Sequence, residues 1–244
     1  MSEPTAVIHH GDALTVLPTL PTASVDAVIT DPPYNAGGRT PAERRAQTAR
    51  DKYVSGNALH DLPDFAGESR DQRGYRYWLA LVLCESLRTT RPGGSALVFT
   101  DWSQLPVTSD ALQAAGWTWR GIIPWHKKIA RPTKNGFKRS CEYVLWGSHG
   151  EPLRHSPPIY LPGILEGSQP RGAERQHITQ KPLAVMRELV RIAPEGGTVL
   201  DPCAGAGSTG AAALAEGRNF VGVELTRHYA NVARERLTAA TTTT

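Results

Sequence analysis

Thr198-Val199-Leu200-Asp201-Pro202-Cys203-Ala204-Gly205-Ala206-Gly207-Ser208-Thr209-Gly210 runs from a short apolar strand, through an acidic Asp-Pro step, into a glycine-rich turn. Gly205 to Gly210 matches GxGxxG, and the helix expected over Ser208 to Glu216 begins inside it. Nineteen positions after Gly205, the strand Phe220 to Val223 ends at Glu224. Strand, glycine turn, helix and a second strand closed by an acid form a nucleotide-binding unit. Its glycines admit a ligand to the backbone, and its acid can bind ribose hydroxyls. A nicotinamide dinucleotide and S-adenosylmethionine both suit this unit. A turn needed only for tight strand-helix packing would require neither Asp201 nor Glu224.

Outward from this unit, β-rich runs alternate with helical stretches. Further strands are expected at Ala6 to His10, Val25 to Thr30, Ser95 to Thr100, Gly121 to Trp125 and Tyr143 to Gly147. With Thr198 to Leu200 and Phe220 to Val223 these make seven, and the alternation predicts an α/β fold with a doubly wound, mostly parallel seven-stranded sheet. Thr40-Pro41-Ala42-Glu43 carries the residues of a capping box with Pro at the first helical position. Trp78 to Leu87 has apolar side chains at helical spacing and stops before Pro92-Gly93-Gly94. Pro182 to Ile192 is a further amphipathic helix. A chain of 244 residues, 40% of them hydrophobic, can bury one full core but not two large ones, so residues 1–240 are expected to form a single catalytic domain. Residues 150–177 are rich in Pro and Gly without periodicity, and Thr241 to Thr244 is expected to be a disordered tail.

The second informative stretch is Asp31-Pro32-Pro33-Tyr34, directly after the apolar run Val25 to Thr30. Each proline fixes φ and removes a backbone donor, so carbonyl oxygens are left facing outward. Asp31 adds another acceptor, and Tyr34 offers a face on which a base could stack for about 1–3 kcal/mol. An exocyclic amine on a flat heterocycle needs two acceptors, and this tetrapeptide has them. A dehydrogenase would have no use for it.

The tetrapeptide resembles the catalytic motif of amino-methylating DNA methyltransferases, which transfer a methyl group from S-adenosylmethionine to adenine N6 or cytosine N4. The resemblance extends over nearly the whole chain, through His10-Gly11-Asp12-Ala13, Trp125-His126-Lys127, Glu142-Tyr143-Val144-Leu145 and Thr179-Gln180-Lys181-Pro182. Its motif order, catalytic before cofactor, is that of the β-type arrangement. The resemblance implies a Rossmann-like methyltransferase fold with Asp31, Pro32, Pro33 and Tyr34 catalytic. It implies S-adenosylmethionine held by Asp12, Ala13, Lys181, Asp201, Pro202, Gly205, Gly207, Thr209 and Glu224. Asp201 and the glycine carbonyls would hold the methionyl ammonium, Glu224 the ribose hydroxyls and Asp12 the adenine amine, with Ala13 as a backbone donor. Lys181 would meet the cofactor carboxylate. Cys203 departs from the family, which commonly has an aromatic residue after Asp-Pro. Asp rather than Ser at position 31 favours adenine N6, with cytosine N4 as the alternative. Glutamine-directed methylases carry a similar Pro-Pro-Tyr but place the cofactor motif first. A catalytically silent DNA-binding regulator would not need the intact gripping residues.

Double-stranded DNA is the implied partner. A base in duplex must leave the stack to enter such a pocket, at a cost of a few kcal/mol. Backbone contacts that offset this are expected from Lys127, Lys128, Arg131, Lys134, Lys138 and Arg139, a run without acids, and from Arg39 in a second patch with Arg44, Arg45 and Arg50. Net charge +4 and a pI near 9.1 suit a polyanion. Target recognition is expected in residues 150–177, whose shortness suggests a short site or help from a second subunit, as in a homodimer. A cognate restriction nuclease would be a natural partner. Cys84, Cys141 and Cys203 lack CxxC spacing, and His9 and His10 should point to opposite faces of a strand, so no metal site is expected. With no signal-peptide pattern and no long apolar run, the expected location is cytoplasmic, away from membranes.

Overall fold

The computed structural model describes residues 3–34, 70–130, 132–168 and 181–242. Its strands are β1 (Ala6–His10), β2 (Val25–Thr30), β3 (Thr90–Thr100), β4 (Thr118–His126), β5 (Cys141–Ser148), β6 (Leu165–Glu166), β7 (Thr198–Asp201) and β8 (Asn219–Glu224). Its helices are α1 (Ala13–Val16), α2 (Gln72–Thr89), α3 (Leu105–Ala114), α4 (Leu183–Val190), α5 (Ser208–Ala215) and α6 (Arg227–Thr242).

One sheet holds every strand, in the order β1-β8-β7-β2-β3-β5-β4-β6. All neighbours are parallel except β3 with β5 and β5 with β4. The α/β, doubly wound, mostly parallel expectation holds, but the sheet has eight strands rather than seven. The added strand, Leu165–Glu166, is too short to show any periodicity, and only its pairing with Trp125 and His126 of β4 makes it a strand. The helices fall into two packed groups, α1 with α2 and α3, and α4 with α5 and α6.

Local sequence explains most boundaries. The run Val25–Thr30 lies at the middle of the sheet with Val28 and Ile29 fully buried, which accounts for its near-continuous apolar character. Helix α2 starts where the Asp71 carboxylate accepts the Gly74 amide hydrogen at 2.8 Å, and buries Tyr75, Leu79, Val82, Leu83 and Ser86 along one stripe. Strand β3 begins five residues before the expected Ser95. Pro92-Gly93-Gly94 does not end it, because β2 and β3 shift register between Val25 and Ala27, and the extra β3 residues bulge there. A Cβ on Gly94 would stand 2.6 Å from the Asp26 carbonyl oxygen, so glycine is what lets the bulge lie against β2.

The Thr40–Glu43 capping box and the Arg39, Arg44, Arg45 and Arg50 patch lie outside the described residues. The disordered-tail expectation needs correction in part. Helix α6 continues through Thr241 and Thr242, and residues 243–244 lie outside the described residues.

Topology then positions the site. Strand β2 leads through α2 to β3 on one side, while β7 leads through α5 to β8 on the other, and β2 and β7 are themselves adjacent. Connections that depart in opposite directions from neighbouring parallel strands leave a crevice beyond their carboxyl ends. Asp31 follows β2 and Asp201 ends β7, so both stand at that crevice.

Candidate active site

The carboxyl ends of four neighbouring parallel strands carry the sequence-predicted acids in order: Asp31 after β2, Asp201 on β7, Glu224 on β8 and Asp12 just beyond β1. Asp31, Lys181, Asp201, Cys203, Gly205 and Thr209 line one cleft. Asp201 is buried, accepting from Thr209 Oγ1 at 2.6 Å and from the Cys203 amide at 3.0 Å, and burial raises its pKa to about 7. Glu224 closes the glycine turn, accepting from the Gly205 amide at 2.9 Å and the Thr226 amide at 2.7 Å; its pKa too is raised by burial. Gly207 caps α5 at φ 76°, a left-handed conformation suited to glycine. Gly210 is fixed by packing, since a Cβ there would fall 2.6 Å from the Phe220 ring. Asp12 caps α1 through the Leu14 amide at 2.9 Å, with Ala13 buried behind it. Pro202 is also buried.

Around Asp31 the geometry departs from what the motif alone implies. The Lys181 ammonium lies 2.7 Å from Asp31 Oδ2 and 3.3 Å from Glu142 Oε2, and donates to the Tyr34 hydroxyl at 3.4 Å. The rings of Tyr34, Phe99 and Trp125 surround it at 5.6, 5.1 and 5.8 Å. Tyr34 is buried; its hydroxyl donates to Glu142 Oε2 at 3.2 Å, so its ring is a wall of this cage rather than an open stacking face. Pro32 is buried, while Pro33 is partly exposed. Burial raises the Asp31 pKa to about 6, against the opposing pull of Lys181. Asp31 Oδ1 is buried and has no hydrogen-bond partner among the described residues. Buried acceptors rarely go unpaired, so this oxygen is available to a donor that enters the cleft.

The hairpin between β4 and β5 projects from the same edge of the sheet, because β4 runs parallel to β6 and antiparallel to β5, which is itself antiparallel to β3. Lys134 and Lys138 on it are exposed. Arg139 lies over Trp102 at 4.9 Å, and Lys128 pairs with Glu166 at 3.6 Å. Lys127, expected among the phosphate contacts, turns its ammonium inward to Glu142 Oε1 at 2.8 Å. Arg131 lies outside the described residues.

The region expected to recognise the target begins on the opposite edge, where His149 and Leu153 bond to Gly94 and Gly93. It returns to the catalytic edge at Leu165–Glu166, and residues 169–177 lie outside the described residues. All three cysteines are free thiols, and no cluster of potential metal ligands occurs among the described residues. Among those residues, no helix is long and apolar enough to cross a membrane.

Glu142, Phe99 and Trp125 were not singled out for a role by their sequence. Glu142 and Trp125 did fall within the motif segments that carried the resemblance, and that was the available signal.

With the acids and the glycine turn gathered at one crevice, comparison with known proteins becomes informative. The sequence profile of a DNA methylase family matches residues 25–235. The chain belongs to this DNA methylase family. It is 30% identical over 232 residues to YubD of Escherichia coli (strain K12), named as a methylase, with 94% of this chain and 89% of that protein covered. It is 24% identical to the type II methyltransferase M2.DpnII of Streptococcus pneumoniae, covering 96% of this chain and 90% of the other. TTHA0409 of Thermus thermophilus, a DNA modification methylase by title solved in complex with S-adenosyl-L-methionine, superposes with TM-score 0.66 at 26% identity, covering 97% of this chain and 96% of that one. The cytosine-N4-specific PvuII DNA methyltransferase shares the fold at TM-score 0.71 with 17% identity, over 99% and 93% of the two chains. This DNA methylase therefore has the Rossmann-like fold of methyltransferases, in which the crevice beside the glycine turn is the functional edge.

Proposed function

We propose that this DNA methylase transfers a methyl group from S-adenosylmethionine to the exocyclic N6 amine of adenine in DNA. The observation that carries the reading is the buried, unpartnered Asp31 Oδ1, at the mouth of a cleft shared with Asp201.

The residues present fit the cofactor. Neighbouring strands stand about 4.8 Å apart, so the four acid-bearing strand ends span roughly 14 Å. That length suits a nucleoside with an amino-acid tail laid across them. In this reading Asp201 faces the methionyl ammonium, Glu224 the ribose hydroxyls, and Asp12 with Ala13 the adenine edge, while Gly205, Gly207, Pro202 and Thr209 shape the turn. S-adenosylmethionine, when bound, supplies a methyl group activated by its sulfonium.

The protein's contribution is alignment. A carboxylate with a pKa near 6 is too weak a base to remove a proton from a neutral aromatic amine. Asp31 therefore accepts a hydrogen bond from the amine, with the Pro32 carbonyl as a second acceptor, and turns the nitrogen lone pair toward the methyl group. Once the nitrogen has been methylated and is cationic, its proton passes to Asp31: the N–H bond breaks as the O–H bond forms. Positioning of this kind replaces a bimolecular encounter.

Asp at position 31 supports adenine over cytosine. The test is incubation with methyl-labelled cofactor and unmethylated DNA, followed by nucleoside identification. N6-methyladenine is expected. N4-methylcytosine alone would overturn the choice of base, and absence of label in DNA would overturn the reading.

A further inference from the structure

We propose that Lys181 and Glu142 are positioning residues for the transfer step, holding Asp31 in a single orientation with Oδ1 turned toward the incoming amine. The inference deepens the proposed function and rests on it.

An ammonium has three donors. Those of Lys181 are directed at Asp31 Oδ2, Glu142 Oε2 and the Tyr34 hydroxyl, at 2.7, 3.3 and 3.4 Å. Its side chain is 4% exposed and enclosed by three aromatic rings. No donor remains for a cofactor carboxylate, the role implied by the sequence resemblance. Instead Lys181 pins one oxygen of Asp31 and so fixes where the other points.

Glu142 is what keeps Lys181 there. It sits on β5, opposite Asp31, and takes the tyrosine hydroxyl of the catalytic tetrapeptide as well. Its other oxygen is held at 2.8 Å by Lys127 from the base of the basic hairpin. Charges therefore alternate, Lys127, Glu142, Lys181, Asp31, and the buried set closes without net charge. A carboxylate paired with a lone lysine would be free to swing with it, whereas Lys181 is held from both sides. Buried networks of this type fix geometry when every member is satisfied. The single exception here is Asp31 Oδ1, the atom the reaction needs.

The groups facing Asp31 are Lys181 ahead of α4, Glu142 on β5, and Asp201 and Cys203 at and after the end of β7. Lys127 and Asp101 reach it through Glu142. Lys181 lowers the Asp31 pKa while Glu142 raises it. Neutralising them should therefore move the ionisation of Asp31 in opposite directions, which a purely structural role would not do.

The experiment measures kcat for methyl transfer to DNA against pH in the wild type, Lys181→Met and Glu142→Gln, with cofactor affinity measured separately by calorimetry. Expected are a loss in kcat of about 100-fold for Lys181→Met, its acidic limb moved to higher pH, and the limb of Glu142→Gln moved to lower pH. Cofactor affinity should be nearly unchanged in both. The near-isosteric Glu142→Gln carries the test if Lys181→Met does not fold. An active wild type whose acidic limb is unmoved in Glu142→Gln overturns the positioning role. So does a loss confined to cofactor affinity in Lys181→Met. A wild type that methylates no DNA overturns the proposed function itself.

Discussion

Asp31 and Asp201 end adjacent strands, and burial raises both, to about 6 and about 7. Their tasks differ because their partners differ. Asp201 is ringed by fixed donors, Thr209 and the Cys203 amide, whereas Asp31 has one pinned oxygen and one open. Asp31→Ala is expected to abolish methyl transfer while leaving cofactor affinity nearly intact, as measured by isothermal titration beside a labelled-methyl assay. The Asp201 carboxylate must be ionised to hold an ammonium, so cofactor affinity should fall as pH drops through 7. From pH 7 to pH 6 the dissociation constant should rise about fivefold, and titration calorimetry in two buffers should show proton release on binding at pH 6. The sign for stability is the reverse of the usual carboxylate case. Each acid keeps its proton to a higher pH when folded, so each contributes a destabilisation that grows as pH rises from about 4. Asp31 and Asp201 could be read from their motifs. The partners of Lys181 could not, since which side chains a buried ammonium meets depends on where three separate elements converge.

At the level of elements, the glycine turn and the basic hairpin show how far local sequence reaches. The turn was legible because its constraint is local. Gly207 needs φ 76°, and Gly207→Ala should lose about 1–2 kcal/mol from the left-handed conformation, with Ala233 Cβ already 3.2 Å from the added methyl. A fall in melting midpoint of roughly 2–8 °C is expected by calorimetry. The hairpin was legible as charge but not as geometry. Lys127 and Lys128 pair with acids while Lys134 and Lys138 remain exposed. Lys134→Gln and Lys138→Gln should each weaken DNA binding and reduce the slope of log affinity against log salt by about 1. Fluorescence anisotropy across a salt series would measure it. The start of β3 was misplaced for a related reason: Pro92-Gly93-Gly94 is a breaker by local preference, and only pairing with β2 keeps it in the sheet as a bulge.

For the molecule as a whole, the crevice exists because β7 lies beside β2 with their connections leading away from each other. Cofactor binding there should stabilise the fold by mass action. At 100 times its dissociation constant the gain is about 2.7 kcal/mol, or roughly 5–11 °C in midpoint for a chain of this size. Thermal scans with S-adenosylmethionine should show the shift in the wild type and lose it in Asp201→Asn.

The amino-acid order alone determined the α/β class, the two motifs and the acids that close their strands, because periodicity, glycine conformation and proline geometry act over a few residues. Only the tertiary structure decided that strands from opposite ends of the chain lie side by side, that a two-residue segment is a strand, and that Lys181 turns to Asp31 and Glu142. Those outcomes depend on register and burial across the sheet, where the energy of each contact is set by residues far away along the chain.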